Sequence, residues 1–186
     1  IEVNAGNATV RVGAGVTWAA LKAALDPLGL RTPFWGPFSG IAATVGGSVS
    51  QNTISHGSGR HGLSAGSVMD VEVVLADGTL LHSAPSRATR NYGPDLTGLF
   101  TGDCGALGLK AALTLPLLKA QPAFEALSFA FATLADYHQM VSTASLEQLD
   151  DEHFGVDLVL SPGQIGKQEG IATKVGIARD IMRSAP

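Results

Sequence analysis

Apolar and polar positions alternate around Val10 and Val12, which predicts a strand over residues 8–12. Gly13, Ala14 and Gly15 then turn the chain, and Thr17 offers an N-cap hydroxyl for a helix. Trp18, Leu21, Leu25 and Leu28 recur at helical spacing and form its apolar face, with Gly29 as the C-terminal stop. Gly13 and Gly15 invite a phosphate reading, but they are also the small residues that a strand-to-helix turn needs, and the turn is the preferred reading. A short extended piece follows at 30–33. Further on, Val71 and Val73 alternate within 67–76, and Asp77-Gly78 joins that run to 79–82, the strongest hairpin signal in the chain. Residues 94–100 read as one or two helical turns, 101–105 as a loop, and 107–115 as a strand that Pro116 ends.

The pattern changes after Lys119-Ala120-Gln121-Pro122. Residues 124–131 are strand-like, and Thr133 with Asp136 three positions on makes a capping arrangement for a helix running to about Leu149. Residues 154–160 suggest another strand. The expected organisation is one domain over 1–120 and the beginning of a second over 121–186, which 161–186 carry too little pattern to finish.

Between the first helix and the hairpin lies a stretch with a different character, from Pro37 to Asn52. Small residues and hydroxyls dominate it, and the Gly46-Gly47 pair lets the backbone approach a ligand or adopt positive φ. Successive backbone N–H groups with Thr and Ser hydroxyls can line a concave anion site for a phosphate or pyrophosphate. Nucleotide-cofactor binding is the functional reading; a Gly/Ser spacer without a ligand is the plain alternative.

Composition narrows the partners. The 186 residues are 45% hydrophobic and 15% charged, the latter below the roughly 25% of an average soluble domain. A net charge of -4, from 12 Lys and Arg against 16 Asp and Glu, gives no basic patch for nucleic acid. The single Cys104 excludes an internal disulfide, which agrees with a reducing, cytoplasmic location, and it reads as a small buried filler. His56 and His61 are poorly spaced for zinc, so no metal is expected. No apolar run reaches the roughly 18 residues of a membrane span. Gly57-Ser58-Gly59-Arg60-His61-Gly62 fits G-x-G-x-x-G, but no strand is expected to lead into it and no helix to follow, so it fails the context a dinucleotide fold requires.

Taken together, Val10-Arg11-Val12-Gly13-Ala14-Gly15-Val16-Thr17-Trp18, Ala43-Thr44-Val45-Gly46-Gly47, Val71-Glu72-Val73-Val74-Leu75-Ala76-Asp77-Gly78, Asp95-Leu96-Thr97-Gly98-Leu99-Phe100-Thr101-Gly102 and Gly105-Ala106-Leu107-Gly108-Leu109 appear in the order of a known family. The chain resembles the FAD-binding domain of the vanillyl-alcohol oxidase and p-cresol methylhydroxylase (PCMH-type) superfamily, and within it the glycolate oxidase and D-lactate dehydrogenase type. The resemblance implies an α+β fold, with a mixed sheet and flanking helices, followed by the start of an α+β cap domain. It also implies a longer enzyme, whose first phosphate loop and catalytic half lie outside this sequence.

On that resemblance, Pro37, Phe38, Ser39, Gly40, Ala43, Thr44, Val45, Gly46 and Gly47 would wrap the FAD pyrophosphate and ribityl chain, with Ser50, Gln51 and Asn52 continuing the contact. Gly105, Gly108 and Leu109 would lie by the adenosine portion, and Gly62 would stand near the flavin. His61 replaces the family's usual Tyr, and Asp103-Cys104 replaces its usual Ser-Glu. The implied activity is oxidation of a CH–OH group, of a 2-hydroxy acid such as D-lactate or glycolate, by hydride transfer to flavin N5, with no catalytic base among these residues. The alternatives are a flavin-binding subunit or electron-transfer module without its own substrate site, and a non-catalytic remnant. The electron acceptor and homo-oligomerisation stay open.

Overall fold

The computed structural model describes residues 1–37, 40–84, 90 and 93–155, with Ser55 by its backbone alone. They divide into two units, one of Ile1–Phe124 with Gln148–Glu152 and one of Glu125–Glu147 with 153–155. Among the described residues no helix is long and apolar enough to cross a membrane.

In the first unit the alternating segments become strands because each finds a partner for its backbone. β1 (Glu2–Asn4), β2 (Thr9–Gly13), β6 (Asp70–Val74), β7 (Leu80–His82) and β8 (Leu109–Pro116) form a five-stranded sheet in the order β1-β2-β8-β6-β7. The sheet was expected to be mixed, yet every described ladder in it is antiparallel. Val10 faces Leu115, Val12 faces Leu113, and Leu113 also faces Val71, so these side chains share one face and are fully buried. The opposite face is polar. There Arg11 grips Glu72 through two hydrogen bonds of 2.6 and 2.8 Å and reaches Glu2 at 3.0 Å.

A bulge interrupts the β6–β8 ladder. Glu72 faces Ala112, but Val73 faces Lys110, leaving Ala111 as the extra residue. Because side chains alternate along a strand, this shift puts Lys110 on the same side as Val73 and Leu113.

Helix α1 (Trp18–Leu25) packs Trp18, Leu21 and Leu25 onto the apolar face, and the Thr17 hydroxyl accepts from the Ala20 N–H at 3.2 Å. Leu28, expected on that face, is exposed: Asp26–Leu28 tighten into a 3-10 turn containing Pro27, which breaks the helical spacing before Gly29 closes it at φ 63°. β3 (Leu30–Arg31) pairs with β9 (Leu118–Lys119), and β4 (Gly36–Pro37) with β5 (Ser55–His56). Helix α2 (Val45–Gln51) lies within the Gly-rich stretch, so Gly46 and Gly47 are helical and neither has positive φ. The Trp18 ring meets Phe34 edge-on at 5.2 Å, and its indole N–H donates to the buried Ser48 hydroxyl at 2.8 Å. α3 (Ser58–His61) and α4 (Leu96–Leu99) are single turns. β5 therefore does lead into the G-x-G-x-x-G segment, but for two residues only, and α3 is too short to present an anion-binding helix end.

The second unit holds α5 (Leu134–Glu147). Its start follows the expected reciprocal cap: the Asp136 N–H donates to the Thr133 hydroxyl at 3.1 Å, and that hydroxyl donates to the Asp136 carboxylate at 2.7 Å. Residues 124–131 are not a strand. They form no ladder with any described strand and are almost wholly exposed, since strand-forming side chains alone do not supply a neighbour for the backbone. The strand expected over 154–160 lies outside the described residues from 156 on, and 154–155 carry no regular structure.

Candidate functional site

Two strand-to-helix turns lie side by side. Thr17 and Thr44, the N-cap residues of α1 and α2, form an antiparallel bridge, and the Val45 N–H donates to the Val16 carbonyl at 2.8 Å. The next donor, the Gly46 N–H, reaches the Ala14 carbonyl at 2.9 Å, while Gly47 N–H is held by the Thr44 hydroxyl at 3.2 Å. A Cβ on residue 46 would stand 2.6 Å from the Ala14 Cβ and 2.9 Å from its carbonyl oxygen. Close approach of backbone to backbone is thus what Gly46 provides. The N–H groups of 45–47 are consumed inside the protein, and are not the free donors that the composition suggested.

A second wall comes from the loop before β8. Asp103 organises it: its carboxylate accepts from the N–H of Gly105 at 3.1 Å, the N–H of Leu107 at 3.2 Å and the Lys110 ammonium at 2.5 Å. Both side chains of that ion pair are buried. Burial pushes the Asp103 carboxyl up, but the hydrogen bonds from Lys110, Gly105 and Leu107 outweigh it and hold it below its usual range. Cys104, expected to be buried, is exposed at φ 52°, and its N–H donates to the Ser50 carbonyl at 2.9 Å, tying this loop to the end of α2. A Cβ on Gly108 would strike Val73 and lie 3.0 Å from the Val74 carbonyl, so this loop lies directly on the end of β6.

These walls enclose a cleft of about 610 Å³. The turn before α1 and helix α2 contribute Ala14, Gly15, Gly46, Gly47 and Ser50; the end of β6 contributes Val74, Leu75 and Ala76; the loop and start of β8 contribute 105–110. At Gly15 and at Gly105 a Cβ would meet nothing within 4 Å, so the lining is kept low by the absence of side chains. Leu107 and Leu109 are more than half exposed there, an apolar surface facing the cleft.

Of the residues expected to hold a cofactor, the structure brings Gly46, Gly47, Ser50, Gly105, Gly108 and Leu109 into this one cleft. Pro37, Gly40, Ala43, Thr44, Val45, Gln51, Asn52 and Gly62 do not line it, and Phe38 and Ser39 lie outside the described residues. Pro37 pairs with Ser55, Ala43 accepts from the Trp18 N–H at 3.1 Å, and Asn52 closes α2 in the left-handed region while its side-chain oxygen accepts from the Ala65 N–H at 3.1 Å. Gly62 ends α3, beside His61, whose buried Nε2 has no hydrogen bond. Burial and the neighbouring Arg31 charge, followed by that of Arg60, lower the His61 imidazole against the opposing pull of Asp151. Lys110, Ala14, Gly15 and the end of β6 were not expected. The Gly13-Ala14-Gly15 turn carried a signal, but a turn explains small residues as well as a ligand does.

Residues 1–84 match the FAD binding domain family. This stretch of the chain is similar to that family. FAD is accordingly its cofactor, and the residues present fit it: the cleft falls within the usual few hundred to about 1,000 Å³ of cofactor sites, and side chains are missing from its floor at Gly15 and Gly105. The chain is also similar to full-length relatives. It is 42% identical over 118 residues to an alditol oxidase of Streptomyces sp., covering 63% of this chain and 25% of that protein. To a probable mitochondrial D-lactate dehydrogenase of Danio rerio it is 36% identical over 114 residues, 58% of this chain and 22% of the relative. To a glycolate oxidase subunit of Escherichia coli it is 33% identical over 132 residues, 70% of this chain and 26% of the relative. The chain thus spans about a quarter of the length of the curated relatives it matches.

Proposed function

We propose that this chain is the FAD-binding part of an oxidoreductase acting on the CH–OH group of a small hydroxy compound, a 2-hydroxy acid such as D-lactate or glycolate. The observation that carries the reading is the cleft with Gly15, Gly46, Gly47, Gly105 and Gly108 along it, where three segments far apart in the chain bring glycines to one place. The names of the relatives, an alditol oxidase, a D-lactate dehydrogenase and a glycolate oxidase subunit, support the substrate class.

Bound FAD supplies the hydride acceptor, its N5. This chain's residues bind and orient. The apolar surface of Leu107 and Leu109 suits a planar adenine, and the Ser50 hydroxyl and the backbone of the 105–108 loop supply polar edges beside it. Gly15 leaves room for the bulk of the pyrophosphate and ribityl chain, and Gly46 and Gly47 line that space. Pro37, Gly40, Ala43, Thr44, Val45, Gln51, Asn52 and Gly62 act in this reading by holding the turns in place. In domain terms, residues 1–120 carry the cofactor and 121–186 begin the part that covers the substrate.

The test is spectroscopic. The purified protein, supplied with FAD, is expected to show flavin absorbance that D-lactate or glycolate bleaches under anaerobic conditions. A yellow protein bleached by an alditol such as xylitol but by neither acid would replace the substrate class. One bleached by none of them would leave a flavin-binding module, and failure to take up FAD would overturn the reading.

A further inference from the structure

The Asp103–Lys110 pair stands apart from the rest of the cleft. Lys110 lines the cleft among residues that are otherwise small, apolar or hydroxylic, and it is held in a buried ion pair by Asp103, which lies behind the lining. Lys110 faces the cleft because the bulge at Ala111 moves it onto the side of Val73 and Leu113; in an unbroken ladder Ala111 would hold that place. Asp103 meets it there while accepting from two backbone N–H groups of the loop between them. The ammonium is therefore committed to Asp103 at 2.5 Å, and its side chain is only 3% exposed.

We infer that Asp103 and Lys110 are positioning residues for FAD: the pair clamps the 105–108 backbone in the shape that receives the cofactor, and Lys110 acts through Asp103 without contacting a phosphate. This rests on the reading that the cleft holds FAD. The clamp works at both ends of the loop. Asp103 fixes its start through Gly105 and Leu107, and Lys110 fixes that carboxylate from the first residues of β8. A glycine-rich loop has many accessible conformations, so holding it in one before binding removes an ordering cost from the binding step.

The experiment measures FAD dissociation constants by quenching of flavin fluorescence in the full chain and its variants, with circular dichroism to show that each is folded. D103N and K110M are each expected to weaken FAD by roughly tenfold to a hundredfold, the scale of losing a charge-assisted hydrogen bond. The double variant D103N/K110M is expected to be little worse than either, because both break one clamp. K110R, which keeps the cation, is expected to restore most of the affinity. A lysine that contacts phosphate directly predicts another pattern, in which K110M weakens binding while D103N leaves it unchanged or tightens it, and that pattern overturns the inference. Additive losses in the double variant overturn it too. Should D103N not fold, K110M and K110R carry the same comparison, since Asp103 and its two backbone donors are retained: unchanged FAD affinity in K110M sinks the clamp. A wild-type protein that takes up no FAD instead removes the underlying reading and the inference with it.

Discussion

The N–H of Gly46 donates to the carbonyl of Ala14 at 2.9 Å, and no side chain fits between the two. That contact locks the first turn of α2 against the turn before α1, and the cleft opens alongside it. G46A inserts a methyl at 2.6 Å from the Ala14 Cβ, with backbone atoms behind it. Its expected cost is about 1–3 kcal/mol, as for other overpacked sites, read as a lower denaturation midpoint of the apoprotein. Wild-type stability in G46A would show that the two turns separate easily.

Gly15 gives the opposite expectation although it lines the same cleft. A Cβ there meets nothing within 4 Å and its φ is not in the left-handed region, so G15V is expected to change stability by less than about 0.5 kcal/mol. Its isopropyl group would enter the space assigned to the cofactor. FAD affinity is expected to fall by about tenfold or more, the equivalent of 1.4 kcal/mol per decade. Titration with FAD checks it, and undiminished affinity in G15V would place the cofactor elsewhere.

The buried Trp18 indole N–H donates to the buried Ser48 hydroxyl at 2.8 Å, a side-chain link from α1 to α2. S48A leaves a buried indole N–H without its acceptor, at an expected cost of about 1–3 kcal/mol. The check is a double-mutant cycle with W18F. The coupling energy is expected to be at least about 0.5 kcal/mol, because the residues are in direct contact.

Asp103 sets a pH dependence. Its carboxyl is held below the ordinary value of about 3.9, so its stabilising contribution is complete above that value and disappears as pH falls through the lower folded one. The melting-temperature gap between wild type and D103N is therefore expected to be constant from about pH 7 to 5 and to shrink below about pH 4. A gap that widens on acidification would mean that the carboxylate is not the stabilised form. Asp95, held low chiefly by its hydrogen bonds from Arg90, loses its contribution in the same direction in both proteins and cancels from the difference.

Signals that close within a few residues were legible in the chain itself. Thr17 caps α1, Thr133 and Asp136 cap α5, and Asp77-Gly78 joins β6 to β7 with Val74 facing Leu80, because each needs only backbone groups two to four positions away. The segment 124–131 shows the limit of the same reasoning. Its residues are strand-like, as those of β2 are, but β2 has β1 and β8 on either side, and 124–131 form no ladder with any described strand. Leu28 missed its place because one proline-containing turn changed the spacing, and Cys104 because its loop is built around the side chain of Asp103.

The sequence by itself singled out a glycine-rich segment and a second Gly-x-x-Gly segment as candidate cofactor-binding segments, and it named the cofactor through the order of its motifs. Only the tertiary structure decided what those glycines do. Gly46 is needed where two backbones touch, Gly15 and Gly105 where space is left open, and the N–H groups of 45–47 are spent on the turn beside them. Lys110 could not be placed in the cleft from its spacing, because strand alternation gives its side only when the register is known, and a single bulged residue reverses it.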